Sequence, residues 1–282
     1  MNSYEHSINI PIKRDIKSLV PKFAILTSCF NKSDVIAEHI KLLKKSFIQD
    51  HRIIITDDKS TDNTKDVIKS LGNIEFIAND RNLGWGESNN KALSIVNEDF
   101  VVFLDADFLI GTYGWLENWY FFQKIFQNIG ESGELHYCSS LFNVQNIHNH
   151  LMNQPWMKNM NSVNNEILNR NSSFESTAHI GGSFKIFKTP IIKKVGGFSN
   201  SINPVCVEVE ISIRMKSLGL ELLPYRIPYR WVIVRGDTAN IVAHESQRME
   251  TLIEEQKKEF EKSGSLLFNP LNWLRKQVYY SS

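Results

Sequence analysis

The sequence predicts an α/β fold in which helices cover both faces of a mostly parallel sheet. Three observations carry this expectation. From residue 23 onward, short and nearly continuous apolar runs alternate with amphipathic segments. Strands of that character, separated by helices, imply βαβ crossovers and burial on both faces. Four consecutive runs also end in oxygen-rich residues: Thr27 to Asn31, Asp57 and Asp58, Asn79 to Asn82, and Asp105 with Asp107. Ligands bind beyond the carboxyl ends of strands in such sheets, so these groups mark one edge as the functional one.

The elements follow in order. FAILTSC (23–29) is the first strand, after which Ser33 is placed to cap a helix carrying Ile36, Ile40, Leu43 and Phe47 on one face. RIIITDD (52–58) is the second strand, and TDNTKDVIKSLG (61–72) is a short helix closed by Gly72. IEFIAND (74–80) is the third strand, a glycine-bearing loop and short helix cover 82–96, and DFVVFLDAD (99–107) is the fourth strand. GWLENWYFFQKIFQNIG (114–130) is a helix whose Trp115, Trp119, Phe122, Phe126 and Ile129 form a core stripe. Residues 143–173 are rich in asparagine and poor in periodicity, as a lid or a long loop would be. GGSFKIFKTPIIKKVGGF (181–198) brings a strand and a short helix, 205–219 a helix ended by Gly219, and 220–234 one or two strands. A charged helix at about 245–263 precedes SLLFNPLNWLRKQVYY, whose apolar residues can dock on the body, on a second subunit or on a membrane.

Composition narrows the function classes. A formal charge of +1 supplies no global basic field for nucleic acid. No window reaches the ~18 to 20 apolar residues of a membrane span. Cys29, Cys138 and Cys206 match no C-x-x-C spacing and fit reduced thiols, so a cytoplasmic protein is expected, with the tail as a surface for peripheral contact with the inner face of a membrane.

VVFLDADFLIG (101–111) poses the chemical question, because it ends a buried run with two carboxylates one residue apart. Uncompensated, they repel each other and resist desolvation. No G-x-G-x-x-G follows the first strand and no G-x-x-x-x-G-K-[ST] occurs, which leaves a phosphorylated ligand in need of another device. A divalent cation, Mn2+ or Mg2+, held by Asp105 and Asp107 would remove the repulsion and accept diphosphate oxygens.

Three motifs then occur in order, each at a strand end: TDDKSTDNT (56–64), RNLGWGESNNKAL (81–93) and LDAD (104–107). Together they resemble the family-2 glycosyltransferases of the GT-A fold, over roughly residues 22 to 245. The resemblance implies a single Rossmann-like catalytic domain over 22–244, with a nucleotide-binding half (22–110) and an acceptor-binding half (111–244). Residues 1–21 are then an N-terminal extension and 245–282 a helical tail. It further implies that Asp57 or Asp58 reads the nucleotide base and that Thr27 and Asn31 sit beside the nucleoside. Asn82 and Gly84 would bring a turn close to the nucleotide, braced by Asn90. Asp107 would bind the metal directly, with Asp105 toward ribose and metal and His244 completing the site.

In the second half, Gly181 and Gly182 resemble the family's acceptor-side glycines. The E-D-x-D-L-x-x-R pattern expected next is here V-E-V-E-I-S-I-R (207–214). Aligned on Arg214, Glu208 takes the position of the catalytic base and Glu210 that of the helix aspartate. Processive members resemble Q-x-x-R-W here, whereas this chain has Ile227 before Arg230-Trp231. The implied activity is a metal-dependent inverting transfer of one hexosyl or N-acetylhexosaminyl unit from a nucleotide sugar, UDP-linked by the commonest usage. The acceptor would be a glycan or other hydroxyl in bacterial-type polysaccharide or glycoconjugate synthesis. The altered V-E-V-E segment keeps a non-catalytic nucleotide-sugar-binding relative as an alternative, and a sugar nucleotidyltransferase shares the layout.

Overall fold

The computed structural model describes residues 8–11, 19–72, 74–117, 119–120, 184–199, 207–218, 232–233, 239–263 and 265–268. Five strands form the central sheet: β2 (Phe23–Cys29), β3 (Arg52–Asp57), β4 (Glu75–Ala78), β5 (Phe100–Leu104) and β7 (Phe184–Lys188). Their order is β4-β3-β2-β5-β7, parallel throughout except for antiparallel β7 at the edge. All residues of β2 and β5 are buried. Ile25, Leu26, Val101 and Val102 thus lose their whole apolar surface to the core, each contributing about 1.5–3 kcal/mol before entropy is set against it. The two strands that matter most for the functional edge are therefore the most firmly held.

Helices α1 (Ile36–Ser46), α2 (Thr64–Ser70) and α3 (Trp85–Ser94) link the parallel strands, and α4 (Thr189–Lys194) follows β7. Leu71 is the C-cap of α2, and Gly72 beyond it takes φ +51, which is why the helix ends where glycine was expected to end it. The start of α1 differs from expectation. Its N-cap is Val35, without a side-chain cap bond; the N–H of Ser33 donates instead to Asp62 Oδ2 at 3.2 Å. The turn is closed by the Lys32 carbonyl, which accepts from Val35 and Ile36 N–H.

Helix α5 (Val207–Ser217) buries Val207, Ile211 and Met215 at four-residue spacing. Helix α6 (Ala239–Ser263) packs on α1 through Met249 and Ile253 against Val35 and Leu42, with Leu109 of β6 (Phe108–Leu109) and Tyr113 in the same cluster. Glu38 meets Ser246, while Lys41 and Lys45 meet Glu250, so the two helices run in the same direction. Short β8 (Val232–Ile233) pairs antiparallel with β6.

A pairing not anticipated joins β1 (Ile8–Pro11) to β9 (Ser265–Phe268), Ile8 standing opposite Phe268. Within the helix expected over 114–130, Trp115 and Trp119 are buried core residues as foreseen; its 121–130 portion and the 143–173 segment lie outside the described residues. No described helix is long and apolar enough to cross a membrane.

Candidate functional site

The chain leaves β2 toward β3 and β4 on one side, and β5 lies on the other. The carboxyl ends of β2 and β5 therefore form the switch point, the place where open α/β sheets take ligands in a crevice. The two carboxylates of the β5 end meet different partners there. Asp107 Oδ2 is 2.9 Å from the Lys32 ammonium, and the side chains are 24% and 35% exposed. Asp105 Oδ1 accepts the indole N–H of Trp85 at 3.1 Å. Trp85 is fixed in turn by an edge contact with Phe198 and by the buried Lys185, whose Nζ is 4.3 Å from the centroid of its ring. An ammonium and an indole thus offset the charge that made the paired acids puzzling.

At the β3 end the adjacent aspartates separate into two roles. Both oxygens of buried Asp58 are used: Oδ1 accepts from Leu83 N–H (2.7 Å) and Asn79 Nδ2 (2.9 Å), and Oδ2 from Gly84 N–H (2.8 Å). Asp58 therefore anchors the 82–84 loop. Gly84 has φ +81, a conformation that favours glycine, and Asn82 Oδ1 adds a 3.2 Å acceptor for its N–H. Asp57, also buried, spends Oδ1 on Ser60 N–H at 3.2 Å, and its backbone pairs with Cys29 at the end of β2. Asn31, at φ +52, accepts from Thr61 N–H and hydroxyl and donates its own N–H to Ser60 Oγ, tying the β2 loop to the β3 loop. Burial raises the pKa of Asp62, but hydrogen bonds from Thr64 and Ser33 outweigh it and hold the group at about 2. Cys29 is a free thiol pushed up to about 12 by burial and by Asp57, which leaves it unreactive at neutral pH.

Thr27, expected beside the nucleoside, is buried, and its hydroxyl lies 3.1 Å from His39 Nε2. The other ring nitrogen, Nδ1, lies 2.9 Å from the Phe108 carbonyl. Because a carbonyl only accepts, Nδ1 carries the proton and Nε2 accepts from Thr27. A neutral imidazole therefore ties α1, β2 and the backbone beside Asp107 together. Burial lowers the His39 pKa to about 4. A depressed folded pKa means the stabilising difference is whole above the unfolded value near 6.5 and is lost as pH falls toward 4. Urea titrations at pH 7 and pH 4 should show about 3 kcal/mol of lost stability that is absent in His39→Gln. Equal pH dependence in both proteins would contradict the assignment.

The second half approaches the same edge. Asn90, expected to brace the nucleotide turn, instead clamps Phe198: Nδ2 donates to its carbonyl at 2.7 Å and Oδ1 accepts its N–H at 2.8 Å. Gly197 beside it has φ +69, and a Cβ there would stand 2.3 Å from Asn90 Oδ1. Gly197→Ala should therefore cost about 3 kcal/mol, from αL strain plus the broken clamp, read as a lower urea midpoint. A loss below about 1 kcal/mol would show that the clamp is dispensable.

Arg214 donates to the Val195 and Gly197 carbonyls and forms a two-pronged pair with Glu210, Nε to Oε1 at 2.8 Å and Nη2 to Oε2. Glu210 is thereby committed to holding the 195–197 turn. Glu208 sits on α5 and His244 on α6, but their side chains lie outside the described set, as do Gly181 and Gly182 entirely.

Asp105 and Asp107, both half-buried, supply the hard oxygen donors that Mn2+ or Mg2+ takes, so the donor chemistry fits such a cation. Among the described residues no three His, Cys, Asp or Glu side chains are grouped to hold a metal ion. The shared direction of α1 and α6 brings the N-terminal part of α6, where His244 lies, toward the head of α1.

Four residues were not foreseen. Lys32 and Trp85 hold the β5 carboxylates, His39 sits inside the apolar face of α1, and Phe30 is a 43% exposed aromatic at the β2 end. A polar residue one position before Ile40 on an otherwise apolar stripe was the available signal for His39.

Comparisons with known proteins bear on this geometry. Residues 24–196 match the family model described as glycosyl transferase family 2. Over 110 residues the chain is 33% identical to poly(ribitol-phosphate) beta-glucosyltransferase of Bacillus spizizenii, a match covering 36% of this chain and 17% of that protein. The chain spans 14 to 30% of the length of the curated relatives it matches. A mannosyltransferase from Pyrobaculum calidifontis, solved in complex with GDP-Man and Mn2+, superposes with a TM-score of 0.54 at 14% identity over 92% of this chain and 84% of that one. Glucosyl-3-phosphoglycerate synthase from Mycobacterium tuberculosis, solved with Mn2+, uridine diphosphate and glucosyl-3-phosphoglycerate, gives 0.52 at 14% identity over 84% and 80%. At such identity these two likenesses speak for the fold.

Proposed function

The chain belongs to glycosyl transferase family 2 and has the GT-A fold, and on that premise we propose that it moves one sugar from a nucleotide-sugar donor to an acceptor hydroxyl with inversion. The observation that carries the proposal is the placement of acids around the switch point. A base reader, Asp57, and the carboxylates of Asp105 and Asp107 flank the end of β2 on its two sides. Neighbouring strands lie about 4.8 Å apart, so β3 and β5 are separated by about 10 Å, close to the span from a nucleobase to its diphosphate.

In this reading Asp57, and not Asp58, whose oxygens hold the 82–84 loop, accepts a ring N–H of the base, and exposed Phe30 offers its face to it. Uridine diphosphate is the donor nucleotide proposed. Asp105, Asp107 and His244 would hold Mn2+ or Mg2+. The bound cation would neutralise charge developing on the diphosphate leaving group. Glu208 takes the proton of the acceptor hydroxyl as its oxygen bonds to the anomeric carbon and the bond to the diphosphate oxygen breaks on the opposite face. Glu210 and Arg214 position the 195–197 turn that α3 clamps through Asn90. The transferred unit is a hexosyl or N-acetylhexosaminyl group, one per encounter, and the acceptor a glycan or other polyol.

Turnover of a nucleotide-sugar panel with Mn2+ tests the reading. Release of nucleoside diphosphate that stops on addition of EDTA is expected. Pyrophosphate as the product would instead identify a nucleotidyltransferase. Tight donor binding without turnover across an acceptor panel would identify a non-catalytic relative.

A further inference from the structure

The Lys32–Asp107 pair crosses the crevice that the proposed donor would occupy. The backbone of Lys32 is immobilised: its N–H donates to Thr64 Oγ1 at 2.7 Å and its carbonyl closes the first turn of α1. Only its flexible four-carbon stem can move, and the ammonium is a compact, strongly hydrated point charge able to change partners. A divalent cation on Asp107 and an ammonium on Asp107 Oδ2 are competitors, since two positive centres within a few ångströms of one carboxylate repel each other.

We infer that Lys32 is an exchangeable counter-ion: it holds Asp107 while the cation is away, yields to it, and then turns to the diphosphate oxygens of the donor. The inference rests on the metal and nucleotide reading above. A donor spanning from Asp57 to Asp107 would pass over the end of β2, three residues beyond which Lys32 projects. Anionic oxygens are thus within reach when the ammonium leaves its carboxylate. A counter-ion of this kind keeps the paired acids from repelling each other before the donor arrives. It adds a positive charge to the leaving group's surroundings afterwards.

The consequence is a pair of effects with opposite signs. In Lys32→Met, Mn2+ alone, titrated against the full chain by electron paramagnetic resonance, should bind about two- to fivefold more tightly, as removal of a part-exposed ion pair predicts. Uridine or guanosine diphosphate in saturating Mn2+ should bind about tenfold more weakly, as loss of a charge-assisted hydrogen bond predicts. Lys32→Arg, which keeps the charge, should return both toward wild type. Weakening of both affinities in Lys32→Met would make Lys32 a loop anchor only, and unchanged Mn2+ affinity would equally overturn the inference. Wild type that takes up no Mn2+, with or without nucleotide, would overturn the functional reading and the inference with it.

Discussion

Glu208→Gln is expected to lower kcat by about 100- to 10,000-fold while leaving donor affinity within about threefold of wild type. Val207, Ile211 and Met215 of α5 are buried on one face, which fixes the rotation of the helix against the body. Glu210 is spent on Arg214, whose guanidinium holds the carbonyls of Val195 and Gly197. With Glu210 so engaged, the proposed base for the acceptor hydroxyl is Glu208, two residues earlier on the same helix. Glutamine keeps the size and removes the proton acceptor, so an effect on kcat with little effect on donor binding identifies the base. Glu210→Gln should behave differently, costing about 1 kcal/mol of stability with a modest change in rate, since the pair it breaks is part-exposed. If Glu208→Gln retained kcat within tenfold and Glu210→Gln did not, the assignment would be reversed.

Asp107→Ala should cost about 1,000-fold in kcat/KM, because a Lewis acid at a leaving group supplies several kcal/mol of transition-state stabilisation. Its signature differs from that of Glu208→Gln. Mn2+-dependent binding of the nucleoside diphosphate should disappear along with turnover, and residual activity should no longer respond to EDTA. Stability should change by no more than about 1 kcal/mol, since the only described partner of Asp107 is the part-exposed Lys32 ammonium. Metal-dependent turnover undiminished in Asp107→Ala would remove the cation from this rim.

The central strands were legible because burial on both faces leaves a long apolar run, and β2, β3 and β5 have one. The edge strand β4 was legible as well, though more exposed. Strands β1 and β9 were not, since four residues are too few to display a period of two and their partners lie more than 250 positions apart in sequence. Ser33 does not cap the helix because the Lys32 carbonyl takes the Val35 and Ile36 N–H groups that its hydroxyl would have accepted. Asn90 was misjudged because its partner Phe198 lies 108 residues further on.

The site divides in the same way. That acids gather at one sheet edge follows from strand ends alone. Which of two adjacent aspartates anchors a loop depends on where residues 79–84 travel, and Asp58 proves to be the anchor. Lys32 reads as an ordinary surface lysine until β2 and β5 are placed side by side and it meets Asp107 across 75 residues. Trp85 likewise shows its function only when Asp105 arrives from the neighbouring strand.

The most direct measurement is anomalous diffraction from a crystal soaked with Mn2+ and uridine diphosphate. The account predicts a manganese peak about 2.0–2.6 Å from a carboxylate oxygen of Asp107, bridged to the diphosphate, with the base beside Asp57. Nucleotide bound with manganese absent from that rim, or manganese seated elsewhere, would contradict it.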